Sequence, residues 1–173
     1  MNPSPNFKKY YEQQDPYIPA VIKILEENAK YPIQIIKVDK KTDCEDCHDL
    51  IVAYSNPLIT IGVRIRFNCI YRDFTLRKAL NSDNQTEIDK IKKLKKPDYY
   101  FYGWVNNQIL DEWMVIDMKK FFPFIDGGFE KENKDKILFQ VYSESLIKDS
   151  ILQNNILRRY DYEKKRMVRR NKN

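Results

Sequence analysis

Residues 58–67, LITIGVRIRF, place Ile59, Ile61, Val63, Ile65 and Phe67 at every second position, with Thr60, Gly62, Arg64 and Arg66 between them. A period of two sends these sets to opposite sides of an extended chain, so the segment predicts a sheet strand with one continuous apolar face. A chain with such a strand must supply neighbouring strands and a layer that covers the apolar side. On the other face, two arginines flanked by a flat glycine read as a surface that receives something.

The flanking sequence supplies the neighbours. Residues 17–30 predict a helix: Ile18, Val21, Ile22 and Leu25 follow the helical stripe, Asp15 can cap, Pro19 suits only a first turn, and Pro32 ends it. Residues 33–38 and 49–54 (DLIVAY) read as short strands around the polar loop DKKTDCEDCH, and Ser55-Asn56-Pro57 is a turn signal. Residues 71–80 allow an extended segment that becomes a helix. Ser82, Asp83 and Asn84 offer caps for TEIDKIKKL, whose Ile88, Ile91 and Leu94 share a face, and Pro97 stops that helix. YYFYGWV (99–105) and WMVIDM (113–118), joined by NNQILDE, read as a hairpin. A loop with Gly127 and Gly128, a strand ILFQVY, and a final helix from about Ser143, with Ile147 and Ile151 one turn apart and Leu152 and Ile156 another, complete the pattern. The class is α+β: a single mixed β-sheet flanked by helices, in one domain over residues 1–157, followed by a basic C-terminal tail, 158–173.

At 173 residues, 42% hydrophobic and 32% charged, the composition is that of one globular core. No apolar run approaches the roughly 18 residues of a membrane span, so no membrane partner is expected. The first 15 residues lack the apolar stretch and cleavage site of a signal peptide, which predicts a cytoplasmic protein without structural disulfides.

Charge is unevenly placed. Residues 158–173 hold eight basic and two acidic side chains, the whole of the net +6, which leaves 23 of each sign in the remainder. Arg158, Arg159, Lys164, Lys165, Arg166, Arg169 and Arg170 suit a polyanion, and equally the solvated end of a last helix. Outside the tail the chain prefers lysine, yet its four arginines, Arg64, Arg66, Arg72 and Arg77, all lie within 14 residues. A guanidinium offers a planar fork for phosphate or carboxylate that an ammonium does not. Two readings follow: phosphate binding by the four arginines, or internal ion pairs with Asp49, Asp73 or Glu87.

The order helix, three strands, helix, two strands, with Asp49 opening the second strand and a charged pair two residues apart on the third, resembles the restriction-endonuclease-like core of the PD-(D/E)xK nuclease superfamily over residues 17–118. The resemblance implies that Asp49 is a metal ligand and catalytic carboxylate for Mg²⁺ or Mn²⁺. Where that family carries acid-x-Lys, this chain has Arg64-Ile65-Arg66. One carboxylate holds such an ion poorly, unless Glu26, Asp73 or Glu87 supplies a displaced ligand. VRIRF, YRDFTLR and YYFYGW are also similar to stretches of short uncharacterised phage and prophage proteins, which implies action in a host cytoplasm.

Cys44, Cys47 and His48 spell CEDCH, and with Cys69 they could form a zinc site; haem attachment is excluded for a chain without an export signal, and incidental cysteines in a polar loop are the alternative. Nucleophilic catalysis would depend on the single histidine, and no GxSxG, GK[ST] or GxGxxG motif is present. The run Tyr99–Trp104 could stack bases, although alternation sends half of it into a core. The expected function is nucleic-acid binding on a nuclease-like scaffold, without a cofactor. The alternatives are a Mg²⁺- or Mn²⁺-dependent phosphodiesterase and a phage inhibitor of a host defence protein.

Overall fold

The computed structural model describes residues 12–39, 48–79, 86–133 and 137–155. Helix α1 (Ile18–Glu27) follows a 3₁₀ turn (Asp15–Tyr17), with Pro19 in its first turn as the sequence requires. It covers the apolar face of a meander formed by β1 (Ile35–Lys37), β2 (Leu50–Val52) and β3 (Thr60–Phe67). Ile18 and Val21 pack there against Leu50, Val52, Ile61, Val63 and Ile65.

After β3 the chain forms β4 (Phe74–Ala79) and α2 (Glu87–Leu94), then returns as β5 (Tyr99–Asn106) parallel to β3. A parallel pair demands such a crossover. β6 (Ile109–Asp117) pairs antiparallel with β5 through Asn107 and Gln108, whose φ angles of 48° and 64° belong to the tight turn that matches strand twist. The hairpin is longer and its turn tighter than NNQILDE suggested, because Ile109–Glu112 belong to β6.

The main sheet runs β1-β2-β3-β5-β6-β9, where β9 is Ile151–Asn154, and is mixed, with helices against it. The α+β class is as read from the sequence, and the order helix, three strands, helix, two strands is present with β4 inserted. A second sheet, β4-β8-β7, adds β7 (Phe129–Glu132) and β8 (Leu138–Tyr142). Its Phe74, Leu76 and Tyr142 pack against Tyr100, Tyr102 and Trp104 of β5, with Ile88 and Ile91 of α2 and Phe121 of α3 (Met118–Phe121) in the same core. The main sheet thus has an apolar layer on each face.

Two segments differ from their sequence reading. Within residues 71–80, Phe74–Ala79 form a strand rather than entering a helix, because β4 finds β8 as an antiparallel partner. The final helix is a single turn, α4 (Glu144–Ile147), capped by Ser143, then a 3₁₀ turn and β9 (Ile151–Asn154), which pairs with β6. Apolar residues four apart fit a helix, but the open edge of β6 offers backbone partners that a marginal stripe cannot outweigh. No helix among the described residues is long and apolar enough to cross a membrane.

Candidate functional site

Pairing of Leu50 with Ile61 sets Asp49 opposite Gly62, on the face of β3 that carries Arg64 and Arg66. The same face of β5 presents Tyr100, Tyr102 and Trp104, aligned with Gly62, Arg64 and Arg66. This face is covered. A Cβ on Gly62 would lie 3.0 Å from Pro97 Cγ and 3.1 Å from Tyr100 Cε2, so what the flat glycine receives is Tyr100 and Pro97.

Each arginine meets protein. Arg64 Nη2 donates to Glu87 Oε2 at 2.5 Å, and its Nη1 donates to the Thr75 carbonyl at 3.1 Å. Glu87 opens α2, whose cap is Thr86 in a reciprocal pair with Asp89; Ser82, Asp83 and Asn84, the caps read from sequence, lie outside the described residues. The Arg77 backbone N–H donates to the same Oε2 at 2.9 Å, and Tyr100 OH donates to Oε1. Burial alone would raise the Glu87 carboxyl, but Arg64, Arg77 and these hydrogen bonds outweigh it and hold it below its ordinary value. Burial and the Glu87 charge, with a contribution from Asp49, push the Tyr100 hydroxyl well up, so the phenol stays a donor.

Arg66 Nη1 donates to Asp73 Oδ1 at 2.6 Å, with the arginine side chain 26% exposed and the aspartate 4%. Arg72 is in the core: its Nε donates to Glu112 Oε2 at 2.7 Å, Nη2 reaches the same oxygen, Nη1 the Cys69 carbonyl, and the guanidinium lies over Trp104, 5.2 Å from the ring centroid. Glu112 carried no signal for this role beyond being an acid at the start of an apolar strand.

Asp49 Oδ2 accepts the Val63 N–H at 2.6 Å. Beside it, Gln14 donates to the Val63 carbonyl at 3.2 Å and accepts the Ile65 N–H at 3.1 Å, so its carboxamide takes the place of a peptide unit along the edge of β3 that short β2 leaves open. Gln14 was not singled out from sequence.

The donor set fits poorly to the divalent ion that the family resemblance implies. Glu87 is held by Arg64, Asp73 by Arg66, and Glu26 Oε1 accepts the Ile35 N–H at 3.0 Å, on the α1 side of the sheet. Arginines stand where a second acid would be needed, and among the described residues no three His, Cys, Asp or Glu gather. Cys44 and Cys47 lie outside the described residues, as does the tail from Arg158; His48 is buried, and Cys69 Sγ contacts the Tyr71 carbonyl at 3.7 Å. Of the aromatic run, Tyr100, Phe101, Tyr102 and Trp104 are buried and cannot meet a base.

No family model matches the chain, and no curated protein matches it. Among solved structures, a Holliday junction resolvase from Archaeoglobus fulgidus, an archaeal hyperthermophile, aligns over 82% of this chain and 89% of that one, with 10% identity and a TM-score of 0.39. A likeness of that size assigns neither residues nor an activity.

Proposed function

We propose that this chain binds nucleic acid and holds its phosphates without hydrolysing them. The observation that carries the reading is the replacement of acid-x-Lys by Arg64-Ile65-Arg66, with the nearby acids Glu87 and Asp73 engaged by those same arginines. A metal-dependent phosphodiesterase needs those carboxylates for its ion; a binder does not. Arg66, 26% exposed, is engaged by Asp73 and Tyr102, and its exposed edge is the part that a phosphate would meet. Arg64 and Arg77, half-buried around Glu87, would contribute positive charge, whereas Arg72 supports the core. The tail, with its excess of six positive charges, adds the long-range attraction.

A salt titration of binding to a labelled duplex tests this. Each phosphate neutralised contributes a slope of about −0.9 in log K against log salt. Removal of residues 158–173 should flatten the slope by about that amount per phosphate given up. Binding indifferent to salt would refute the reading and point to a protein partner, as the defence-inhibitor alternative requires.

A further inference from the structure

The turn between β2 and β3 holds an aromatic side chain in an unfavourable backbone conformation. Tyr54 has φ of 61° and is 96% exposed. The left-handed region crowds the Cβ of any residue but glycine, and bulky side chains are rare there. Burial of the ring would offset that cost, but this ring is in water. The turn around it is firmly held: Ser55 Oγ donates to the Val52 carbonyl and accepts the Ile59 N–H, both at 2.9 Å, and Ala53 N–H donates to the Gln34 carbonyl at 2.7 Å. A strained, exposed and well-anchored tyrosine contributes nothing evident to folding, which directs attention to a role outside the fold.

Its surroundings state the chemistry of the partner. Strand order brings the β2–β3 turn, the start of β5 and the end of β6 to one end of the main sheet, three strand spacings or about 15 Å across. Exposed Lys93, in the last turn of α2 before β5, and exposed Lys119 and Lys120, in α3 directly after β6, lie toward that end. The acids there are engaged by protein: Asp98 Oδ2 accepts the Thr60 N–H and hydroxyl and pairs with Lys96, Asp117 caps the Lys119 and Lys120 N–H groups, and exposed Asp126 pairs with Lys92. Cations in solvent at the same end of the sheet as an exposed flat ring match a strand with accessible bases and regularly spaced phosphates.

We propose that this end of the sheet binds single-stranded nucleic acid, with Tyr54 stacked on a base and Lys93, Lys119 and Lys120 along the phosphates. The inference rests on the nucleic-acid reading above and deepens it by naming the form of the ligand. Duplex DNA keeps its bases stacked on one another and offers Tyr54 no face.

The test uses the full chain, a fluorescein-labelled 20-nucleotide oligothymidine, and a mixed-sequence duplex of the same length. Tyr54→Ala and Tyr54→Gly should weaken single-strand binding about five- to 150-fold, the loss expected for one stacked base, and leave duplex binding unchanged. Tyr54→Phe should bind as the parent does. Tyr54→Gly should melt at or above the parent temperature, because glycine relieves the strained turn, so its weaker binding cannot come from unfolding. In Tyr54→Trp, oligothymidine should quench the new indole, since Trp104 and Trp113 are buried. Single-strand binding by Tyr54→Ala equal to the parent's, or an equal loss on duplex, overturns the stacking role while the broader reading stands. A parent chain that binds neither DNA at low salt overturns both.

Discussion

Replacing Glu112 with leucine would leave the Arg72 guanidinium charged and enclosed. The two side chains are 1% and 3% exposed, and Glu112 Oε2 accepts from both Nε and Nη2 of the arginine. The remaining bonds to the Cys69 and Tyr71 carbonyls and the Trp104 face cannot balance the charge. Breaking a buried pair from one side costs about 3–5 kcal/mol, a large fraction of the 5–15 kcal/mol of an ordinary domain. With a urea dependence of about 2 kcal/mol per molar, the unfolding midpoint should fall by roughly 2 M. Adding Arg72→Met removes the stranded charge, and the double variant should regain most of the loss. It should also bind nucleic acid as the parent does, because Arg72 has no exposed surface to offer a phosphate. Urea unfolding followed by tryptophan fluorescence reads both effects. A Glu112→Leu midpoint within about 0.5 M of the parent, or a double variant as unstable as the single one, would refute the argument.

Acid stability should depend on Glu87. Its folded carboxyl titrates below the ordinary value of 4.5, so its contribution is complete above that pH and is lost as pH falls through the folded value. Glu87→Gln should be less stable than the parent at pH 7, with the gap closing as pH falls below the ordinary carboxyl value of 4.5 and through the lower folded value; a gap constant with pH would contradict the assignment. Gln14→Ala removes the carboxamide from Val63 and Ile65 and should cost about 1–3 kcal/mol in urea unfolding. No change would mean that water serves that edge equally well.

Strong local periodicity made the first half of the fold legible. Residues 59–67 alternate without exception and α1 has an unbroken stripe, so both are placed by sequence to within a few residues. The short final helix and β9 were misread because four-residue apolar spacing is common to several structures, and the deciding factor, an open β6 edge, is remote in sequence. β7 was missed altogether: FEKE has no apolar alternation, and all four residues are exposed. At the site, the arginine cluster stood out by composition, and two of its partners, Asp73 and Glu87, were within reach of a sequence argument. Glu112 was not, because it lies 40 residues from Arg72 and reaches it through the β3–β5–β6 register. Tyr54 was read as the end of a strand; nothing local shows that β2 stops at Val52 and that the tyrosine takes a left-handed turn.

The most direct test of phosphate binding without hydrolysis is a combined gel-shift and cleavage assay on single-stranded and duplex DNA, with Mg²⁺, Mn²⁺ or chelator, for the parent and Asp49→Asn. Asparagine can still accept the Val63 N–H, so the variant should fold. Retarded, intact DNA is expected in every lane, with Asp49→Asn binding as tightly as the parent or more tightly, because a carboxylate near phosphate is removed. Metal-dependent cleavage by the parent that Asp49→Asn abolishes would contradict it and make the chain a nuclease.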